Sequence, residues 1–309
     1  MNYILKETEL LGMEIIQDLI ELSLWSTYVK GERIVSLMIV AEPESAKTEL
    51  MKKYSNNKGT ITRRRFTSFG IIKDLLNKKS TLLFTSPKIL GHIFVYDYAT
   101  VFTFKANIVD NTIEFLDALT EEGLSAESAY WIEGEELKPY ENLKGGVIAG
   151  INTFGFFTSS GKVKSNLYKG GWFSRNIVVS YGVSEVIVTK IFDSITKGKY
   201  RYDQDLVKKI TIKFPQKRTN VAIPDEYAKQ IETLAREIAE EYSNDLKPHK
   251  LKGFRLHKSL ISLVKASALR NGGKEVSEED VERIKYLSNW MNLQLRHLKS
   301  EYPFNKKYD

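Results

Sequence analysis

Apolar residues recur along this chain with two spacings, which predict two kinds of element. Short continuous apolar runs, typical of strands buried on both faces, occupy 34–40, 92–96, 146–151 and 177–180. Helical spacing of apolar residues covers 3–28, 69–77 and 112–119. Residues 128–137 alternate around a Glu-Gly turn and predict a β-hairpin. Strands that alternate with helices predict an α/β fold with a mainly parallel sheet flanked by helices.

From about residue 185 onward the pattern is helical. Amphipathic helices are predicted over 225–242, 254–273 and 276–295, with Gly272 ending the second and Ser277 capping the third. The acidic residues that follow Ser277 suit the first turn of a helix. The chain is therefore predicted to divide into an N-terminal helical segment (1–29), an α/β core (30–200) and a smaller all-helical domain (201–309).

The stretch 34–50 combines a predicted strand, a short turn and a helix that opens with Lys47 and Thr48. This arrangement is that of a phosphate-binding loop, in which the lysine neutralises phosphates and the hydroxyl ligates Mg²⁺. The candidate loop consists of Ala41, Glu42, Pro43, Glu44, Ser45, Ala46, Lys47 and Thr48. Alanine replaces glycine at both ends of it, and Glu44 would repel phosphate unless it points outward. An ordinary strand, turn and helix is the alternative.

Polar residues stand at the predicted carboxyl ends of two further strands. Asp97 follows 92–96, at the kind of position where nucleoside triphosphatases hold Mg²⁺, and Asn152 follows 146–151. Thr48 and Asp97 are therefore the candidate metal ligands. The residue after Asp97 is Tyr98, and tyrosine is too weakly acidic to polarise water at neutral pH. Asn152 could reach a γ-phosphate or cap a turn.

Composition indicates a cellular compartment and a charge class of partner, but no particular partner. The chain of 309 residues has a net charge of +7, which favours a polyanionic partner, and it contains no cysteine. The absence of thiols and of a signal peptide predicts a reducing, intracellular (cytoplasmic) compartment. No apolar run is long enough to span a bilayer. The basic run over 52–65 could contact nucleic-acid phosphates or form the solvated face of an edge strand, and the histidines show no metal-ligand spacing.

Taken in order, AEPESAKT, HIFVYDY, a hairpin, VIAGINT, WFSRNIVV and FRLHKSLISLVKASAL resemble the motifs of AAA+ ATPases. The set is most similar to the minichromosome maintenance (MCM) helicases and their short relatives in phages and mobile elements. The resemblance implies that Lys47 and Thr48 bind ATP and Mg²⁺ and that Asp97 holds the metal. It also implies that Asn152 is sensor 1, that Arg175 acts on a neighbouring subunit's nucleotide, and that Arg255 is a sensor 2 arginine acting within its own subunit.

Two functions follow from this resemblance. The first is an oligomeric, ring-forming ATP-dependent motor or loader, such as a hexamer, that acts on DNA in replication or remodelling. The second is an assembly protein in which nucleotide only stabilises a ring or filament. Several departures, Tyr98 above all, place hydrolysis in question more than binding or fold. The acidic hairpin turn around Glu133 also differs from the basic turn of DNA-contacting helicases.

Overall fold

The computed structural model describes residues 12–64, 67–77, 82–124, 130–132, 135–137, 142–153, 171–197, 209–245, 250–298 and 303–304. The α-helices in these ranges are α1 (Glu14–Ser26), α2 (Lys47–Lys53), α3 (Ser68–Asn77), α4 (Ala106–Thr120), α5 (Trp172–Arg175), α6 (Glu185–Thr196), α7 (Asp225–Asp245), α8 (Phe254–Arg270) and α9 (Glu278–Ser288). The strands are β1 (Leu37–Ala41), β2 (Thr60–Arg63), β3 (Phe84–Thr85), β4 (Lys88–Val95), β5 (Tyr130–Ile132), β6 (Glu135–Leu137), β7 (Lys144–Asn152) and β8 (Ile177–Tyr181).

Five parallel strands form the main sheet in the order β2-β4-β7-β1-β8, and β3 pairs antiparallel to β4. Strand β1 is buried along its whole length because it lies between β7 and β8. From β1 the chain passes to β2 at the far edge, whereas from β7 it passes across β1 to β8. The two connections leave in opposite directions, and a ligand crevice is expected at the carboxyl ends of such neighbouring strands.

The register places the ends of three strands side by side. Ala41, the last residue of β1, pairs with Asn152 of β7 on one side and with Tyr181 of β8 on the other. The loop that follows β1 therefore begins between the tips of two neighbours. Strand β4 pairs with the other side of β7, so the chain just beyond Val95 comes to the same edge of the sheet.

The C-terminal helices cover the outer edge of β8, which would otherwise present unpaired backbone groups. The Tyr242 hydroxyl both accepts from the Val178 N–H and donates to its carbonyl, each at 2.9 Å. Further along, the Ser180 N–H donates to the Trp290 carbonyl at 2.9 Å. The C-terminal helical region therefore covers the β8 edge of the sheet and is hydrogen-bonded to it.

Helix α1 packs against α8, and the contact includes buried charges. Asp18 is fully buried and forms ion pairs with Arg270 and Arg283. Glu21 also contacts Arg270 and accepts a hydrogen bond from the Tyr54 hydroxyl at 2.7 Å. These pairs join the start of the described chain to its C-terminal helices. The predicted division at residues 29 and 200 stays a prediction.

The predicted α/β class, the mainly parallel sheet and the following helical region are confirmed. The predicted helix over 276–295 is too long, since α9 ends at Ser288 and the chain then turns to pair with β8. The hairpin pairs Tyr130 with Leu137, while its turn at Glu133 lies outside the described residues. Within those residues, none of the helices combines the length and apolarity needed to cross a bilayer.

Candidate phosphate site and arginine cluster

The loop between β1 and α2 adopts a backbone that favours glycine at two positions. Glu44 has a φ of 62° and Ala46 a φ of 59°, both in the left-handed region. Ala46 is the residue immediately before α2, and its carbonyl accepts the Leu50 N–H at 2.9 Å. The Glu44 side chain is exposed.

Lys47 is the central group of this edge. Its exposure is 9%, and it makes no hydrogen bond or ion pair within 4 Å to the described residues. Burial lowers its pKa, while the negative charge of Asp97 opposes that shift. A largely buried lysine without a close counter-ion is costly, because part of its lost hydration is not replaced. The position therefore favours an anionic ligand.

The three other predicted residues of this site come to the same edge of the sheet. Asp97 follows β4 by two residues, is partly exposed, and accepts the Thr100 hydroxyl only on its backbone carbonyl, at 2.7 Å. Thr48 is partly exposed in the first turn of α2. Asn152 ends β7 beside Ala41. Lysine, hydroxyl, carboxylate and amide are thereby brought to neighbouring strand ends.

Two further residues shape the site. The Tyr181 hydroxyl donates to the Ser45 carbonyl at 2.9 Å and fastens the loop to the end of β8. Gly150 in β7 allows the Tyr96 backbone to approach closely, because a Cβ there would lie 2.9 Å from the Tyr96 carbonyl oxygen. The same Cβ would be in ordinary contact with the Lys47 stem, 3.4 Å from Cδ, so the lysine packs directly on this part of β7.

Tyr98 cannot act as a base in this environment. It is fully buried, stacks on Trp172 with ring centroids 5.1 Å apart, and contacts Phe102 edge to face. Its hydroxyl has no hydrogen-bond partner among the described residues. Burial raises its pKa far above the ordinary value. The residue that follows Asp97 is therefore a packing residue.

Arg175 and Arg255 lie together at the opposite, amino edge of the sheet. Arg175 precedes β8 and binds Asp117 and Glu121, each at 3.2 Å. Arg255, at the start of α8, binds Glu121 at 2.6 Å and the Ser174 hydroxyl at 3.0 Å. Arg33 completes this cluster, with its guanidinium 3.6 Å from Glu121 and 2.9 Å from the Arg175 carbonyl.

Three arginines and two acidic residues form the described part of this cluster, and Glu114 adds a negative charge near Asp117. Burial lowers the pKa of Arg33 to about 10, and the two other arginines oppose the stabilising effect of Glu121. Burial also raises the pKa of Asp117 to about 7, so this carboxyl is partly protonated near neutral pH. The neighbouring arginines oppose that shift without cancelling it.

The structure brings Lys47, Thr48, Asp97 and Asn152 together, but it does not bring Arg175 or Arg255 to them. The five residues of β1 separate the two edges by about 16 Å. Arg255 is held beside Arg175 through Glu121. The predicted roles of Arg175 on a neighbouring subunit and of Arg255 within its own subunit stay predictions.

Sequence reasoning missed Arg33, Glu121 and Tyr181. Arg33 and Glu121 are distant in the chain from Arg175, so only the fold unites them. Tyr181 directly follows the predicted strand 177–180 and is the last residue of β8. A polar group just past a buried strand was the sequence signal that could have identified it. Among the described residues there is no group of three or more acidic or histidine side chains that could hold a metal alone.

No protein-family model matches the chain, and no curated protein is significantly similar to it in sequence.

Proposed function

We propose that this protein binds Mg²⁺ and a nucleoside triphosphate, with ATP as the expected ligand, at the carboxyl edge of the sheet. The observation that carries the proposal is the largely buried side chain of Lys47, which has no counter-ion within 4 Å among the described residues. A triphosphate supplies the missing negative charge. The positive-φ backbone at Glu44 and Ala46 and the exposed Glu44 side chain are compatible with a phosphate in this loop.

The residues present fit a Mg²⁺ ion that arrives with phosphate. Magnesium is usually held by one or two carboxylates together with substrate phosphates, rather than by an all-protein cage. Asp97 and Thr48 supply one carboxylate and one hydroxyl near Lys47. When bound, the ion would neutralise charge between phosphate groups. The polar end of β7 at Asn152 is suited to contact the terminal phosphate or a water beside it.

Oligomerisation enters this proposal through the arginines. Arg175 and Arg255 are too far from their own Lys47 to act on the same nucleotide, so both would serve the site of an adjoining copy. The resemblance to MCM-type AAA+ proteins supports this role for Arg175 but not for Arg255, and it supports a ring-forming protein that acts on DNA. The net charge of +7 supports a nucleic-acid partner in the same way.

A second candidate is an assembly protein that binds nucleotide with slow hydrolysis or none. The packing of Tyr98 favours it, because no carboxylate occupies the position of the usual catalytic base. ATP turnover, measured at high protein concentration with and without single- and double-stranded DNA, separates the two functions. Turnover stimulated by DNA would support the motor, and nucleotide binding without turnover would support the scaffold.

Replacement of Lys47 by alanine tests the nucleotide site directly. We expect Lys47→Ala to abolish ATP binding as measured by calorimetric titration in Mg²⁺. Lys58→Ala is the matched control, because it removes the same charge from an exposed position. An unchanged ATP affinity in Lys47→Ala would contradict the assignment.

A further inference from the structure

An extended segment over 209–220, here called the strap, precedes α7 and lies against the α/β core. Near its start the Ile210 N–H donates to the Lys53 carbonyl at 2.7 Å. Near its end the Thr219 N–H donates to the Tyr28 carbonyl at 2.8 Å. The strap is therefore held to the core at both ends, although it forms no strand of the sheet.

Side chains of the strap alternate between the core and the solvent, as they do in any extended chain. On the inner side Ile212 is buried, and its N–H donates to the Asn57 side chain at 2.8 Å. Phe214 stacks on Tyr28 with ring centroids 4.6 Å apart. The lysines of the strap are exposed: Lys209, Lys213 and Lys217. The inner contacts therefore fix the backbone that carries these charges.

The strap lies beside the basic run 52–65. The Lys209 ammonium donates to the Lys52 carbonyl and to the Ser55 hydroxyl, each at 3.0 Å. Both acceptors are neutral, so these bonds orient the ammonium without cancelling its charge. At the other end of the strap the Lys30 N–H donates to the Thr219 carbonyl at 2.9 Å, and the Lys30 side chain is exposed. The fold thus joins basic segments 157 residues apart in the chain. Their exposed lysines are here called the strap surface: Lys30, Lys209, Lys213 and Lys217.

Little negative charge opposes the strap surface among the described residues. The acidic side chains nearest in the chain to these contacts are already engaged, since Glu49 binds Lys52 at 3.0 Å and Glu32 binds Lys265 at 2.6 Å. Glu21 of α1 is buried. The lysines of the strap surface form no ion pair with the described residues. Exposed acidic residues follow only beyond the strap: Asp225, Glu226 and Glu275.

We propose that the strap surface binds the phosphate backbone of double-stranded DNA without reading its sequence. Lysine ammonium groups neutralise phosphates, and the release of bound counterions supplies the affinity. Because the strap is already fixed to the core, little ordering cost opposes binding. The inference deepens the proposed function, on which the choice of DNA rests. The strap contacts the last turn of α2, whereas Lys47 lies in its first turn, so the two sites are separate.

The aromatic residues of the strap favour a duplex over a single strand. Proteins that bind single strands use exposed aromatic rings on which bases stack. Within the described strap no aromatic ring is exposed, because Phe214 lies against Tyr28. The eight residues from Lys209 to Lys217 span at most about 26 Å, which is the length of about eight base pairs.

Removal of charge from the strap tests the proposal. The strap variant combines Lys209→Gln, Lys213→Gln and Lys217→Gln. The control variant combines Lys190→Gln, Lys229→Gln and Lys258→Gln, which remove the same charge from exposed positions on α6, α7 and α8. Affinity is measured without nucleotide, by fluorescence anisotropy of a labelled DNA duplex longer than the footprint, over a range of salt concentrations. Far-UV circular dichroism checks that both variants are folded.

The strap variant is expected to bind the duplex more weakly than the wild type by about tenfold or more, because three phosphate contacts are lost. The slope of log affinity against log salt concentration should fall in magnitude by about 2–3. The control variant should keep the wild-type affinity and slope. Lys213→Gln alone should reduce the slope by about 1, which keeps the test decisive if the triple variant does not fold.

Several results would overturn the inference. These are a wild type that does not bind the duplex, a strap variant that binds it like the wild type, and equal losses in the strap and control variants. Tighter strap-dependent binding of a single strand of the same length would overturn the choice of a duplex. Strap-dependent binding of phosphatidylserine vesicles without binding of the duplex would identify a membrane surface instead.

The nucleotide site is measured separately with the same preparations. The strap variant should bind ATP as the wild type does, and Lys47→Ala should bind the duplex as the wild type does. Normal ATP binding without strap-dependent duplex binding would overturn the strap surface and leave the proposed nucleotide site standing. Strap-dependent duplex binding without ATP binding would do the reverse.

Discussion

Ala46 stands where a phosphate loop ordinarily has glycine, and replacing it with glycine should stabilise the fold slightly. Its φ of 59° and ψ of 9° place an L-residue in the left-handed region, where the steric cost is about 1–2 kcal/mol. Glycine removes that cost but gains freedom in the unfolded chain, worth roughly 0.4–1 kcal/mol. Loss of the half-buried Ala46 methyl group offsets the gain by up to about 0.4 kcal/mol more. The expected result for Ala46→Gly is a gain of about 0.5 kcal/mol.

Ala118→Gly in α4 is the matched control, since Ala118 is also half-buried but lies in a helix. Helix propensity alone predicts a loss of about 1 kcal/mol there, and the methyl group adds to it. Urea unfolding followed by far-UV circular dichroism should therefore separate the two variants by about 2 kcal/mol. If Ala46→Gly destabilises the protein as much as Ala118→Gly, the left-handed loop, and with it the shape of the phosphate cradle, is wrong.

Three other predictions concern buried groups. Asp18→Asn should lower the free energy of unfolding by about 3 kcal/mol, because its two arginine partners lose a buried counter-charge; an unchanged urea midpoint would contradict this. Tyr242→Phe should cost about 1–2 kcal/mol through the lost bonds to Val178, measured in the same way. Burial lowers the pKa of His92 to about 4. Below about pH 6.5 the unfolded chain therefore binds a proton at His92 that the folded chain does not bind. The free energy of unfolding should fall as the pH drops, by about 2 kcal/mol at pH 5. His92→Gln should remove that part of the pH dependence, and an identical pH profile in the variant would refute the burial argument.

The sheet was accessible from sequence because its strands are short apolar runs with polar residues just past their ends. The run ending at Ala41 and the Lys47-Thr48 pair suffice to predict a strand, a loop and a helix. Asp97 and Asn152 are predictable for the same reason, since the carboxyl ends of parallel strands meet at one edge. Local pattern and sheet geometry together therefore locate the candidate phosphate site.

The arginine cluster was not accessible in this way. The role predicted for Arg255 within its own subunit rested on motif order, and motif order does not fix which edge of the sheet a helix start approaches. Glu121 decides that position by binding both Arg175 and Arg255. The early end of α9 has a similar cause. Hydrogen bonds to β8 replace the helix beyond Ser288, a tertiary preference that helical spacing does not contain.

The central claim is that Lys47 and Asp97 serve one Mg²⁺-bound triphosphate, and the Mg²⁺ dependence of ATP binding tests it most directly. Calorimetric titration of ATP in Mg²⁺ and in EDTA should show tighter binding with Mg²⁺ for the wild type and for the control Asp110→Asn, which alters an exposed residue of α4. In Asp97→Asn that Mg²⁺ enhancement should disappear. An equal Mg²⁺ enhancement in Asp97→Asn and wild type, or no ATP binding by the wild type at all, would contradict the account.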